Sequence, residues 1–369
     1  MSADRFIVSS LLQWYAEHAR DLPWRRTRDP YAIWISEIML QQTQVKTVIP
    51  YWTRWMRRLP DIAFLARSRT ETVLKLWAGL GYYSRARNLK SAAEFIVQNH
   101  DGEFPRDPVV IAKLPGIGRY TTGAIGSIAF NQPTPILDGN VIRVLTRFFG
   151  ILEDSAATPT RTRLWKIAEQ LVTLASTHRP RLKHTSTTRH CADFNQSLME
   201  LGALICSPRE PNCGACPLQT RCAAHQTETT SQIPALKPKA AMRSRLFVAF
   251  AISRDGCFLV QKRSLGGVNA QLWEFPNAEC REDEPDPENA VRLTLGFELG
   301  RSERIGTIRH TITRNRIRLE VYHSEPSHDP AGTSPLTRWC PPSKLAQLPF
   351  PSAHRKIVEL LANRQLLRT

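Results

Sequence analysis

The stretch from Leu114 to Asp138, LPGIGRYTTGAIGSIAFNQPTPILD, constrains the fold more than any other part of the chain. Leu114-Pro115-Gly116-Ile117-Gly118 breaks one helical pattern. Ala124, Ile125, Ile128 and Ala129 then begin a second, with Thr121, Thr122, Gly123 and Gly126 small enough for close packing. The product is a helix, a tight hairpin and a helix. Gly116 and Gly118 let the backbone approach a partner and leave amide N–H groups at a helix start, which favours a phosphate oxygen; Arg119 adds charge beside them. A G-x-G between helices is commonly only a turn. Asp138, followed by Gly139 and Asn140 after a Pro-rich connector, is what gives it weight.

At 369 residues the chain exceeds one ordinary core, so two domains or more are expected. Fifty Lys plus Arg against thirty-three Asp plus Glu give a net charge of +17, which points to nucleic acid first and an anionic membrane surface second. No run reaches the apolar length of a membrane span. The first residues have no apolar signal core, and Asp4 and Glu17 argue against a transit peptide, so a cytoplasmic, nucleoid-associated protein with reduced thiols is expected.

The cysteines are unevenly placed. Cys206, Cys213, Cys216 and Cys222 form C-x6-C-x2-C-x5-C, broken by Pro208, Pro211, Gly214 and Pro217, while Cys191, Cys257, Cys280 and Cys340 stand alone. Four thiolates in so short a loop suit one tetrahedral ion or a cubane cluster, and the donor set alone does not choose between zinc and iron–sulfur. The solitary four are expected to be small buried hydrophobes.

Helical patterns are predicted around Ile7, Leu11, Leu12 and Tyr15, from near Pro30 through Val45, and at 52–59, 61–67, 70–77 and 85–98. Glu37 lies among Ile33, Trp34, Ile38, Leu40 and Val45; a carboxyl desolvated in this way can hold a proton near neutral pH. Gln41, Gln42 and Thr43 follow it as uncharged hydrogen bonders suited to base edges or to filling a gap in a duplex. The glycine-softened loop from Ala78 to Arg87 offers Leu80, Tyr82 and Tyr83 with Arg85 and Arg87, either as wedges between bases or as a helix connection with its aromatics turned inward.

Taken together, Ser36–Val45, Gly79–Tyr83, Leu114–Tyr120, Ile136–Asn140 and the four-cysteine loop resemble the MutY-type adenine DNA glycosylases of the helix-hairpin-helix superfamily, which also contains endonuclease III. The resemblance covers about the first 225 residues. It implies an all-helical catalytic region at 1–225, with a six-helix barrel near 29–134 and a cluster domain from 1–28 plus 135–225. It further implies a 4Fe-4S cluster on the four cysteines, a monomer, and double-stranded DNA carrying adenine opposite 8-oxoguanine or guanine as substrate. Breaking the adenine glycosidic bond needs an acid and a negative group beside the sugar cation, roles that fit Glu37 and Asp138, with Asn140 beside the latter. Gln42, Thr43, Leu80 and Tyr82 are expected to fill the gap left by the extruded base. Tyr120 stands where lyase-active relatives carry lysine, so no Schiff base is expected.

One segment departs from the pattern: His178 to His190 is basic and Ser/Thr-rich, and is expected to be a solvated loop or else a phosphate contact. Residues 226–245 read as a linker that can carry protein partners, and 246–369 as an α+β Nudix-like domain with strands at Leu246–Ile252, Cys257–Lys262 and around Ile317–Val321. Its Val291–Glu298 segment keeps a single glutamate where a Nudix hydrolase needs several for magnesium, so hydrolase activity is not expected. MutY relatives commonly present Phe-Ser-His to 8-oxoguanine in a C-terminal hairpin; Ile312, Thr313 and Arg314 occupy those positions, which implies weaker discrimination between 8-oxoguanine and guanine. Three classes follow: a monofunctional adenine glycosylase, a glycosylase with lyase activity, or a non-catalytic binder of damaged DNA. Glu37 with Asp138 separates the first from the third, and Tyr120 separates it from the second.

Overall fold

A computed structural model describes residues 2–178, 189–235, 241–280, 298–327 and 336–367. Most of the basic 178–190 segment, residues 236–240 of the expected linker, and Val291–Phe297 of the Nudix helix segment lie outside the described residues. The chain forms two compact units, Met1–Arg67 with Ser91–Pro238, and Ser68–Lys90 with Lys239–Thr369.

The first unit is helical. α1 (Ala3–His18) is followed by α2 (Pro30–Leu40), α3 (Val45–Arg58) and α4 (Ile62–Arg67). α2 stops five residues short of the predicted run, because Gln42 turns left-handed at φ 57° before the chain restarts as α3. α5 (Thr70–Trp77) belongs to the second unit, and α6 (Ser84–Asn99) leads back to α7 (Pro108–Ile111), α8 (Arg119–Ile128) and α9 (Gly139–Phe149). α10 (Thr158–Ser176), α11 (His190–Leu204) and α12 (Ala223–Gln226) complete the helices of this unit among the described residues. Apolar faces of α1, α8, α9, α10 and α11 meet in one core, with Leu11, Val144, Leu171, Phe194 and Leu198 buried in it. The helix after the hairpin is packed so closely that a Cβ on Gly123 would lie 1.8 Å from the Pro135 carbonyl oxygen, which explains a glycine inside α8.

Arg20 and Arg25 fix the start of this unit to α11 through Glu200. Arg20 donates from Nε and Nη2 at 2.8 and 2.7 Å, and Arg25 from Nη1 and Nη2 at 3.0 and 2.9 Å. Burial by itself would raise the Glu200 carboxyl, but the two guanidinium groups override it and hold it at about 2.

The second unit is built on a seven-stranded mixed sheet in the order β3-β2-β1-β6-β5, with β4 also paired to β1 and β7 to β2. The strands are β1 (Arg243–Arg254), β2 (Cys257–Lys262), β3 (Trp273–Glu274), β4 (Asn277–Cys280), β5 (Glu303–Ile312), β6 (Asn315–Ser324) and β7 (Thr337–Cys340). β1 lies between β4 and β6 and is packed on both faces, Ala249 and Ala251 in one cluster and Val248, Phe250 and Ile252 in another, so Val248 to Ile252 read as an unbroken apolar run. β1 begins at Arg243, inside the stretch expected as linker, because Arg243 to Arg245 already pair with Asn315 to Ile317. α13 (Pro342–Leu345) and α14 (Ser352–Asn363) cover one face, where Leu345, Ile357 and Leu361 pack with Phe258, Phe275, Leu319 and Val321. The α5 segment joins this unit through Trp273 Nε1, which donates to Glu71 Oε1 at 2.8 Å, and Arg87 Nη1, which donates to the Ala270 carbonyl at 2.8 Å.

Candidate active site

Asp29 caps α2 by accepting from the amides of Tyr31 (3.0 Å) and Ala32 (3.3 Å), and Pro30 suits the first helical turn. Every residue from Tyr31 to Met39 is buried, so Glu37 enters the interior as part of an apolar helix. Tyr120, on the first turn of α8, donates its hydroxyl to Glu37 Oε2 at 2.8 Å, and that hydroxyl also lies 3.3 Å from Met199 Sδ. Burial pushes the Glu37 carboxyl from 4.5 to about 7; the Asp138 charge adds to this, and the Tyr120 hydrogen bond opposes it.

Asp138 is the N-cap of α9. One of its oxygens accepts from the Val141 amide at 2.7 Å and the other from Asn140 Nδ2 at 3.1 Å. Burial raises this carboxyl as well, while those donors and Arg143 pull it back toward the ionised form. The site therefore holds two carboxyls in unlike surroundings, one facing apolar side chains and one facing donors.

Sequence reasoning missed what anchors them. Arg143 donates to Asn140 Oδ1 (2.9 Å), to the Gly202 carbonyl (2.7 Å) and to the Cys206 carbonyl (2.6 Å), so Asp138 is linked through Asn140 and Arg143 to the cysteine loop. Gly202 is required there, since its Cβ would meet that of Asn140 at 2.6 Å. Arg147 is buried and donates to the carbonyls of Ser207 (2.7 Å), Pro208 (3.1 Å) and Ile233 (2.8 Å) and to Cys206 Sγ (3.3 Å). An R-x3-R pair on one helix face was the available signal.

Cys206, Cys213, Cys216 and Cys222 line one cavity together with Arg147, Ile205, Pro211, Asn212, Gln219, His225 and Thr230. Burial pushes the Cys216 thiol up to about 12. No three His, Cys, Asp or Glu side chains among the described residues form a group able to hold a single metal ion.

The remaining predicted contacts divide. Gln42 is exposed, Thr43 is half-buried, and both sit in the α2–α3 turn, where the neighbouring Gln41 Nε2 lies 3.4 Å from Thr121 Oγ1. Gly116 is exposed with φ 75°, and Gly118 is an extended N-cap with open space where a Cβ would stand, as close approach of a partner requires. Arg119 is exposed but lies over the Trp165 ring, 4.1 Å from its centroid. In the second unit Tyr82 is 48% exposed and held at φ 46°, whereas Leu80 is only 6% exposed and is not presented as a wedge. Arg85 likewise turns inward: it donates to the carbonyls of Leu80 and Gly81 and lies near the faces of Trp77 and Tyr82, so it builds the loop instead of flanking a ligand. Thr313, at φ 51°, and Arg314 form the exposed two-residue turn between β5 and β6.

Residues 35–170 match the family model described as HhH-GPD superfamily base excision DNA repair protein, and residues 247–360 match that of the NUDIX domain. The chain is 34% identical over 410 residues to the adenine DNA glycosylase of Mus musculus, across 95% of this chain and 77% of the mouse protein. Identity to the Rattus norvegicus adenine DNA glycosylase is 47% over 236 residues, across 62% of this chain but only 43% of the rat protein. A solved thermostable thymine-DNA glycosylase superposes with a TM-score of 0.53 at 30% identity, covering 61% of this chain and 97% of its own. Similarity that extends through both the helical unit and the sheet unit shows that the chain belongs to the adenine DNA glycosylase family.

Proposed function

We propose that this chain is a monofunctional glycosylase that hydrolyses the N-glycosidic bond of adenine mispaired with 8-oxoguanine or guanine in duplex DNA, leaving an abasic site. The observation that carries it is the buried Glu37 carboxyl, still substantially protonated near neutral pH and set beside the ionisable Asp138. Glu37 gives its proton to a ring nitrogen of the extruded adenine. The glycosidic bond breaks and its electron pair leaves with the base. Asp138 faces the resulting sugar cation, a water oxygen bonds to the anomeric carbon, and the water's proton passes to carboxylate or solvent. Gln42, Thr43 and Tyr82 supply contacts around the gap, the Gly116–Arg119 turn binds phosphate, Thr313 meets the base opposite the adenine, and Arg314 donates to that base or to a phosphate.

Tyr120 supports hydrolysis over lyase chemistry, because a phenol hydrogen-bonded to the acid has no amine to attack the sugar. With a duplex containing one adenine opposite 8-oxoguanine, the product strand is expected to remain intact until heated in alkali, and borohydride to trap no protein–DNA adduct. A trapped adduct in yield comparable to the excised adenine would overturn the monofunctional reading.

The cysteine cavity fits a 4Fe-4S cluster. Four thiols line one shared space, an all-sulfur donor set of the kind that holds an iron–sulfur cluster. When bound, the cluster supplies a cross-link that fixes the shape of the Cys206–Cys222 loop; the protein's own part is the Arg147 and Arg143 hydrogen bonds that tie this loop to α9. Cys213→Ser is expected to lower bound iron and visible absorbance severalfold and to weaken DNA binding in parallel. One bound zinc and no visible band in the wild-type protein would show the assignment to be wrong.

A further inference from the structure

We propose that the outward face of the β5–β6 hairpin, separate from its tip, is a docking strip for the sugar-phosphate backbone of duplex DNA. The inference rests on the glycosylase reading only for naming DNA as the polyanion. Pairing places Arg309 directly opposite Arg318 and Thr311 opposite Arg316, and parallel β1 adds Ser244 beside Arg316. Residues so paired share a face of the sheet. All five are exposed, while the alternate residues Ile308 and Leu319 are buried against the helices.

Like charges facing each other across strands destabilise a sheet, so this pair is not explained by folding. Arg304 and Arg245, on the same strands, are matched. Glu320 takes Arg304 and, at 3.5 Å, Arg318, and Glu279 takes Arg245. Arg309 and Arg316 have no carboxylate partner among the described residues. Two unmatched guanidinium groups, a third shared with one carboxylate, and the hydroxyls of Thr311 and Ser244 make a donor-rich surface of the kind that grips phosphate oxygens without reading bases.

The test is the Arg309→Gln/Arg316→Gln double variant of the full chain, titrated over a range of salt against a plain duplex and one carrying adenine opposite 8-oxoguanine. Both affinities should weaken by the same factor, on the order of 10- to 100-fold at about 0.1 M salt, and the slope of log K against log salt should become shallower by about 2. The Arg309→Lys/Arg316→Lys variant should restore most of both, since a phosphate contact needs charge more than a fork. Single-turnover excision at saturating enzyme should be unchanged. Unaltered affinity and slope in the glutamine variant would overturn the strip. A change confined to the ratio between the two duplexes would also overturn it, by showing a base contact. A wild-type protein that excises no adenine, yet loses salt slope in the glutamine variant, would sink the glycosylase reading and leave the strip standing.

Discussion

Replacing Glu37 with glutamine is expected to cut adenine excision by roughly 10²- to 10⁴-fold, the share a positioned general acid supplies, while the protein becomes more stable at pH 8. Glutamine keeps the size of the side chain and an oxygen for the Tyr120 hydroxyl, so only the titrating proton is lost. In the wild-type protein the carboxyl titrates near 7 when folded, against an ordinary 4.5. Between those values the native state holds a proton that the unfolded state has released, so stability falls as pH rises through this window. The loss is complete above pH 7 and on the order of 3 kcal/mol. The glutamine variant has no such decline. Wild-type excision should also drop about tenfold per pH unit above 7, as the acid form is depleted. Single-turnover rates and thermal midpoints between pH 5 and 9 check both parts. If the variant keeps wild-type excision, or loses stability with pH as steeply as the wild type, Glu37 is not the acid.

The largest structural effect is expected at Glu200. Glu200→Ala strands Arg20 and Arg25 beside a vacated interior position and should cost about 3–5 kcal/mol, read from urea midpoints. Glu200→Gln, which keeps the shape and one acceptor, should cost less, and that difference isolates the charge. Because this carboxyl is depressed to about 2, its contribution is fully present above pH 4.5 and fades as pH falls toward 2. Acid unfolding of the alanine variant should therefore lack that component. Equal midpoints for wild type and alanine variant at pH 7 would show the triad to be dispensable.

The hairpin, the buried acid and the cysteine loop could be read from the sequence because each is local: glycine punctuation, one charge in an apolar helix, and four thiols within a short loop. The arginines that brace the site could not. Arg20 and Glu200 lie 180 positions apart, and Arg147 and Ile233 lie 86 apart, so only tertiary folding brings them together. Leu80 misled for a related reason. A leucine between glycines looks exposed, but left-handed Gly79 and Gly81 turn the loop so that this side chain is buried and Tyr82 is the one shown. β1 and β2 followed from apolar runs about a turn and β6 from alternation, whereas the parallel partnership of β1 and β6 depends on a crossover that neither pattern encodes.

Asp138 is a helix cap and also the carboxyl proposed to face the sugar cation, and the two duties differ in what they demand. A cap asks only for a short side-chain acceptor, and asparagine serves it about as well as aspartate. Asp138→Asn should therefore leave the circular dichroism spectrum and cellular abundance unchanged while excision falls by roughly 10²- to 10³-fold. Quality control that removes misfolded chains has nothing to detect in such a variant. A genome carrying it would keep a full complement of protein that still binds DNA without removing adenine, so the inherited defect would show as an excess of mutation, not as a missing protein.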